Sequence, residues 1–133
     1  MNYIAQSWKA LLVTAALTLP TLAFAADPAM MKDGMMVDHK GMTLYTFDKD
    51  TGGKSVCTGE CAEYWPPLKA EAGAKAEGKW TVIKRDDGTM QWAFDGKPLY
   101  YFQKDKAPGE MKGDKMKDVW HVVRELFNGQ RNP

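Results

Sequence analysis

Two heptapeptides decide the fold of this chain: LYTFDKD at residues 44–50 and LYYFQKD at residues 99–105. Equivalent residues of the two copies lie 55 positions apart, and the same offset relates a tryptophan downstream of each copy. One register that holds across both copies indicates an internal duplication. The equivalent pairs are Gly41 and Gly96, Leu44 and Leu99, Tyr45 and Tyr100, Phe47 and Phe102, Lys49 and Lys104, Asp50 and Asp105, and Trp65 and Trp120.

The tyrosine and phenylalanine of each copy are two residues apart, so both side chains point to the same face of a strand. We therefore expect Tyr45, Phe47, Tyr100 and Phe102 to be mostly buried. The predicted fold is mainly β, a small single domain of short antiparallel strands in hairpins and a meander. It is built from two duplicated units with approximate pseudo-twofold symmetry.

Alternating apolar residues and turn signals predict where the strands lie. Strands are expected over residues 35–38, 42–47, 80–84, 89–94, 97–102 and 119–124, and one helical turn over residues 61–65. Asp95-Gly96 is the strongest hairpin signal, because glycine supplies the positive φ that a tight turn needs. Residues 69–79, rich in Ala, Gly and charged residues, predict an exposed linker.

Residues 1–26 have the features of a cleaved signal peptide: one positive charge, a short apolar run and small residues before the cleavage site. An uncleaved N-terminal anchor is the alternative. A flexible lead-in (27–34), one β-rich domain (35–127, with repeats over about 35–68 and 89–124) and a frayed tail (128–133) are predicted to follow. No cysteine stands at the cleavage site, so we expect an exported protein, periplasmic or secreted, without a lipid anchor.

The charges of the predicted mature chain are balanced. The sequence has 18 basic and 17 acidic residues, and Lys9 is the only charged residue of the leader, which leaves 18 − 1 = 17 basic residues. Bulk charge therefore does not favour nucleic acid as a partner. No second apolar run reaches the length of a bilayer, so no membrane span is expected after cleavage.

Four stretches together resemble a known protein family: GMTLYTFDKD, CTGECAEYWPPL, QWAFDGKPLYYFQKD and VWHVV. The family consists of secreted bacterial proteins, often lipoproteins, with a repeated Tyr-x-(Phe/Trp/Tyr)-x-x-Asp motif, and the resemblance implies no defined activity. The chain departs from the family pattern by lacking a lipid-bearing cysteine. It also reads GDKMKDVW at residues 113–120, where the family pattern resembles Gly-Asp-Gly-x-x-Gly-x-Trp.

The aspartates of the motif have two interpretations. Asp50 and Asp105 could act as paired carboxylates for a cation or for acid–base chemistry. Alternatively, each caps a loop by accepting backbone N–H groups where a strand ends. Their equivalent positions favour the capping role, because an acid and a base need different environments to separate their pKa values.

The two cysteines, Cys57 and Cys61, are expected to form a disulfide, since an exported chain enters an oxidising compartment. A redox pair and a metal site are the alternatives. Redox pairs more often have two intervening residues, whereas three intervene here, and the nearby Glu60 and Glu63 disfavour a thiolate. A zinc site needs four ligands, and the chain has only two histidines to add.

A cluster of methionines and one histidine stands out near the predicted mature N-terminus. Thioether sulfur and imidazole nitrogen suit Cu(I), so the cluster is compatible with a Cu(I) site, although no other cofactor is expected. Met is also a common gap filler of apolar cores, which is the alternative explanation. The candidate ligands are Met30, Met31, Met35, Met36, His39 and Met42.

No nucleophile–base–acid pattern supports an enzyme. Ser55 is the only serine outside the leader, and no GxSxG motif surrounds it. His121, next to Trp120 in an apolar strand, is expected to be a hydrogen-bonded histidine or one at a sheet edge, rather than a ligand. The favoured function is an exported, non-catalytic binding or interaction module for an unidentified protein or small ligand. A periplasmic copper-handling or redox accessory protein and an uncharacterised enzyme are the alternatives, and the sequence carries no signal for an oligomeric state.

Overall fold

The computed structural model describes residues 27–125, so the predicted signal peptide and the predicted tail over residues 128–133 lie outside the described residues. Residues 27–125 form a small, mainly β domain of short antiparallel strands. Its elements are β1 (Met30–Lys32), β2 (Met35–Val37), β3 (Tyr45–Phe47), α1 (Glu60–Tyr64), β4 (Trp80–Lys84), β5 (Met90–Phe94), β6 (Lys97–Pro98), a 3-10 helix (Met116–Asp118) and β7 (Trp120–Val122). Within the described residues, no helix is long and apolar enough to cross a membrane.

The predicted meander forms the three-stranded sheet β4-β5-β6. Asp95 and Gly96 both have positive φ, 51° and 78°, as the Asp-Gly turn requires. The returning strand is shorter than predicted and ends at Pro98 rather than at residue 102. Beyond that point the chain turns to other partners, because the carbonyl of Leu99 accepts from Leu68 N over 2.9 Å.

The first and last parts of the domain are joined by the antiparallel pair β3-β7, in which Tyr45 lies opposite Val122 and Phe47 opposite Trp120. The two motif copies also contact each other directly. Tyr45 N donates to the carbonyl of Tyr100 over 2.8 Å, and Tyr100 N donates to the carbonyl of Tyr45 over 2.9 Å. The two heptapeptides are therefore paired at their tyrosines.

Strand β1 was not predicted, because residues 27–34 were interpreted as a flexible lead-in. It pairs antiparallel with β2, and Met31 lies directly opposite Met36. The turn between the two strands is Asp33-Gly34, with positive φ values of 52° and 81°. Asp33-Gly34 is a hairpin signal of the same Asp-Gly type as Asp95-Gly96, and using it would have identified the strand.

Two apolar clusters form the core, and each motif contributes to both. The leucines of the motifs, Leu44 and Leu99, lie in an aliphatic cluster with Trp80, and all three are buried. The tyrosines that follow them point to the opposite side, as alternation along a strand dictates. They lie in the aromatic cluster, which comprises Tyr45, Cys57, Trp65, Tyr100, Phe102, Trp120 and Val122.

The loop before β7 has positive φ at three residues other than glycine. They are Lys115, Lys117 and Asp118, with φ values of 62°, 51° and 58°. Side chains other than glycine are disfavoured in this left-handed region. These residues therefore adopt a left-handed backbone conformation that glycine tolerates best, and this lowers the stability of the domain.

Candidate functional site

The tyrosine of each motif copy forms a hydrogen bond with the aspartate of the other copy. Tyr45 OH donates to Asp105 Oδ2 over 2.5 Å, and Tyr100 OH donates to Asp50 Oδ2 over 2.6 Å. Each hydrogen bond therefore joins the tyrosine of one copy to the aspartate of the other. Sequence analysis did not predict this exchange, because the spacing within one copy says nothing about contacts between copies. The pseudo-twofold symmetry of the whole domain stays a prediction.

Both aspartates also accept a backbone N–H, which is the contact that the capping interpretation proposes. Asp50 Oδ1 accepts from Val56 N over 2.7 Å, and Asp105 Oδ1 accepts from Lys112 N over 2.9 Å. The carboxylates thus fasten their own loops as well as the opposite tyrosine. Because both carboxylates accept these internal hydrogen bonds, they are not arranged as two ligands of one cation.

Burial and hydrogen bonding shift the pKa values of these groups. Burial, and then the hydrogen bond to Asp105, raise the pKa of Tyr45 far above its ordinary value. Burial, and then the hydrogen bond to Asp50, raise the pKa of Tyr100 in the same way. Burial also raises the pKa of Asp50, against the lowering effect of its bonds from Tyr100 and Val56. Both phenols therefore keep their protons, and with them their donor role, at neutral pH.

A buried arginine supports one of the two tyrosine–aspartate pairs. Arg85 is 5% exposed, and its guanidinium donates to Ser55 Oγ (2.8 Å), Gln91 Oε1 (2.7 Å) and the carbonyl of Cys57 (2.6 Å). Because the proton of Tyr100 OH goes to the aspartate, the Ser55 hydroxyl donates to Tyr100 OH over 2.6 Å. Sequence analysis did not identify Arg85, a charged residue that directly follows strand β4.

Four aromatic rings form a stacked column in which the two copies alternate. Phe47 stacks on Trp120 at 4.1 Å between centroids, Trp120 on Trp65 at 3.8 Å, and Trp65 on Phe102 at 4.2 Å. Stacked aromatic pairs contribute roughly 0.5–1.5 kcal/mol each beyond their burial. Phe47 is partly exposed, and the other three rings are buried, so the burial expected of the motif phenylalanines is complete only at Phe102.

A groove of about 630 Å³ runs along this column, and we call it the inter-repeat groove. All of its lining residues except Glu60 and Lys117 fall into pairs that are 55 positions apart. The two copies therefore contribute equivalent residues to the same groove. These pairs are Phe47 and Phe102, Lys49 and Lys104, Cys61 and Met116, Tyr64 and Val119, and Trp65 and Trp120.

The rim of the inter-repeat groove is mainly basic. Lys49, Lys104 and Lys117 are exposed and line it, whereas Glu60 is its only acidic lining residue among those described. Tyr64, with 46% of its surface exposed, adds an accessible aromatic ring. The groove thus combines aromatic walls with an excess of positive charge.

The two cysteines lie beside the groove. The sulfur atoms of Cys57 and Cys61 are joined, with 5.2 Å between the Cα atoms, inside the range of about 4.4–6.8 Å that disulfides require. Cys57 is fully buried in the aromatic cluster, and Cys61 lines the groove. The bridge ties helix α1 to the segment that carries Ser55.

The structure brings together four of the six predicted copper ligands. Met30, Met31, Met36 and His39 line a second cavity of about 490 Å³, which we call the methionine cavity. The other two lie apart from it. Met35 packs against the aromatic cluster, and the partly buried Met42 donates its backbone N–H to Asp38 Oδ1.

The two histidines make separate polar contacts. His121 Nε2 lies 2.7 Å from Asp48 Oδ2, as expected for a hydrogen-bonded histidine. Among residues 27–125, no three His, Cys, Asp or Glu side chains form a group that could hold a metal ion.

Comparison with known protein families assigns the chain. A family described as a secreted repeat of unknown function matches residues 29–69 and 81–124, which covers both motif copies and most of the chain. The chain belongs to this family. The match confirms the resemblance found in the sequence, and the family description agrees with export of the protein. No curated protein and no solved structure matches the chain.

Proposed function

We propose that this member of the secreted-repeat family is a non-catalytic binding module and that the inter-repeat groove is its ligand site. The observation that supports the proposal is the construction of the groove from equivalent residues of both copies. A duplication that served stability alone would need to preserve only the buried pairs. Here the exposed Lys49 and Lys104 are duplicated as well.

The lining of the groove suggests the chemical class of the ligand. Its volume of about 630 Å³ lies within the range of about 300–1,000 Å³ that is typical of small-molecule sites. Aromatic walls favour a planar, apolar body. The excess of lysine over acid favours a negatively charged group on the same molecule. The proposed ligand is therefore a small aromatic or cyclic anion.

A catalytic role is less well supported by the contacts. Tyr45, Tyr100 and Asp50, whose pKa values are raised, make hydrogen bonds within the tyrosine–aspartate pairs, and none of them lines the groove. Glu60 is the only carboxyl group in the described lining and is exposed. A general acid and a general base in fixed relation to a ligand would require more than this one group.

A pair of matched fluorescent probes tests the proposal. One probe is the aromatic anion 8-anilinonaphthalene-1-sulfonate, and the other is its neutral counterpart N-phenyl-1-naphthylamine. The native protein should bind the anion more tightly than the neutral probe. Removing the charges with Lys49→Gln and Lys104→Gln should weaken anion binding about two- to fivefold, as expected for exposed charge pairs, and leave the neutral probe unaffected.

Two exposed lysines outside the groove provide the control. Lys54→Gln with Lys84→Gln removes the same total charge and should leave both affinities unchanged. Equal loss of anion binding in the control and groove variants would show that only net charge matters. That result, or failure of the folded protein to bind either probe, would overturn the proposal.

A further inference from the structure

The methionine cavity has features that apolar packing does not explain. Met30 and Met31 lie on the exposed strand β1, with 44% and 38% of their surfaces accessible. They contribute little to the core, in contrast to Met36, which is 2% exposed. Yet all three line the same cavity, together with His39.

The β1-β2 pairing places two thioethers side by side. Met31 and Met36 are directly opposed across the two strands. Directly opposed residues of an antiparallel pair have Cβ atoms about 4.5–5.5 Å apart and side chains on the same face. Flexible methionine side chains at that separation can direct both sulfur atoms to one point.

The histidine is held in the tautomer that a metal needs. His39 Nε2 lies 2.7 Å from the backbone carbonyl of Asp27. A carbonyl only accepts, so the ring nitrogen in this contact carries the proton, and Nδ1 keeps a free lone pair. Donation of the second ring N–H to a backbone carbonyl is the usual arrangement around metal-binding histidines.

The surroundings suit a soft monovalent cation. Trp80 and Phe94 complete one side of the cavity, and aromatic faces attract cations. Thioether sulfur prefers Cu(I) to the hard cations Mg²⁺ and Ca²⁺.

We propose that the methionine cavity is a Cu(I)-binding site formed by the sulfur atoms of Met31 and Met36 and by Nδ1 of His39. Met30 also lines the cavity. The site is separate from the inter-repeat groove, with which it shares no lining residue among those described, so this inference is independent of the proposed binding function. Of the six candidate copper ligands in the sequence, four line this cavity: Met30, Met31, Met36 and His39.

Anaerobic titration of the full exported chain with Cu(I), in competition with the chelator bicinchoninate, tests the site. One Cu(I) should bind per chain, with a dissociation constant below about 1 μM, which corresponds to about −8 kcal/mol. Met31→Leu and His39→Ala should each weaken binding at least about tenfold. Both positions are exposed, so these variants should fold, and circular dichroism will verify this.

Met35 and Met42, the two methionines of the predicted copper cluster that do not line the cavity, are the matched controls. Met35→Leu and Met42→Leu remove a thioether at similar volume and should leave Cu(I) affinity unchanged. X-ray absorption of the copper complex should show both sulfur and nitrogen ligands. Absence of binding at micromolar Cu(I), native affinity in both Met31→Leu and His39→Ala, or an equal loss in the control variants would overturn the proposal.

Discussion

The Tyr45–Asp105 and Tyr100–Asp50 pairs contain the same motif residues, but different groups stabilise the carboxylate of each pair. Tyr100 is linked through Ser55 to the buried guanidinium of Arg85. Around the other pair, the structure shows backbone donors: Lys112 N bonds Asp105, and Gly113 N lies 3.3 Å from Tyr45 OH. One pair therefore has a nearby buried positive charge, and the other relies on N–H groups.

The difference between the two pairs shows which contacts are common to both copies. Ser55 corresponds by the offset of 55 to Glu110, which caps the backbone N–H groups of Lys106 and Ala107 at the surface. Arg85 corresponds by the same offset to Met30, an exposed residue of β1. The tyrosine–aspartate bonds are present in both places while their surroundings have diverged. The bonds themselves are thus the shared architectural element.

The largest expected effect comes from removing the arginine. Arg85→Met leaves the acceptors of Ser55, Gln91 and Cys57 buried without their donor, and it should lower the free energy of unfolding by about 3–5 kcal/mol. Arg124, whose partly exposed guanidinium pairs with Asp114, is the control. Arg124→Met should cost less than about 1 kcal/mol. Urea unfolding of both variants measures the difference, and equal losses would contradict a special role for Arg85.

Removing each tyrosine hydroxyl compares the two pairs directly. Tyr45→Phe should cost about 2–3 kcal/mol, because Asp105 is only 6% exposed and loses one of two donors. Tyr100→Phe should cost about 1–2 kcal/mol, since Asp50 is only partly buried and lies near the charge of Arg85. Chemical denaturation determines both values. A larger loss for Tyr100→Phe would show that the Arg85 network depends on the hydroxyl more than Asp105 does.

The raised tyrosine pKa values predict a loss of stability in alkali. Above about pH 10, tyrosines of the unfolded chain ionise, while the buried phenols of Tyr45 and Tyr100 stay protonated because their pKa values are raised. The unfolded state then binds fewer protons, so the free energy of unfolding falls as pH rises. Each tyrosine contributes about 1.4 kcal/mol per pH unit to this slope. Tyr45→Phe should reduce the slope by that amount, and an unchanged slope would refute the assignment.

The smallest effect is expected in the loop that follows the second copy. Lys115→Gly relieves a positive φ of 62° and should raise the free energy of unfolding by about 0.5–1 kcal/mol. Lys112→Gly, at a position without positive φ, should instead destabilise the protein by a similar amount, because glycine gains freedom in the unfolded chain. Thermal unfolding distinguishes the two signs. Destabilisation by Lys115→Gly would show that its side chain contributes more than its backbone costs.

The sequence predicted the parts of the fold that follow from local periodicity. The strand over residues 80–84 and the Asp95-Gly96 turn are found as predicted, because alternation and turn chemistry determine them within a few residues. The strand ending at Pro98 rather than at residue 102 shows the limit of this reasoning. There, pairing between Tyr100 and Tyr45 across the chain overrides the local preference for continuing the hairpin.

The site depends on contacts that sequence spacing does not encode. The offset of 55 identified the tyrosines and aspartates, but it gave no reason to pair Tyr45 with Asp105 rather than with Asp50. Arg85 was missed because a charged residue at the start of a turn is ordinarily exposed. Only the three acceptors that converge on its guanidinium from separate segments allow it to be buried.

The central claim is that the tyrosine of each copy is coupled to the aspartate of the other. A double-mutant cycle with Tyr45→Phe measures this coupling in the free energy of unfolding, once with Asp105→Asn and once with Asp50→Asn. The structure predicts a coupling of about 1–3 kcal/mol for Tyr45 with Asp105, and less than about 0.5 kcal/mol for Tyr45 with Asp50, with which it shares no hydrogen bond. A larger coupling to Asp50 than to Asp105 would contradict the exchange between the two copies.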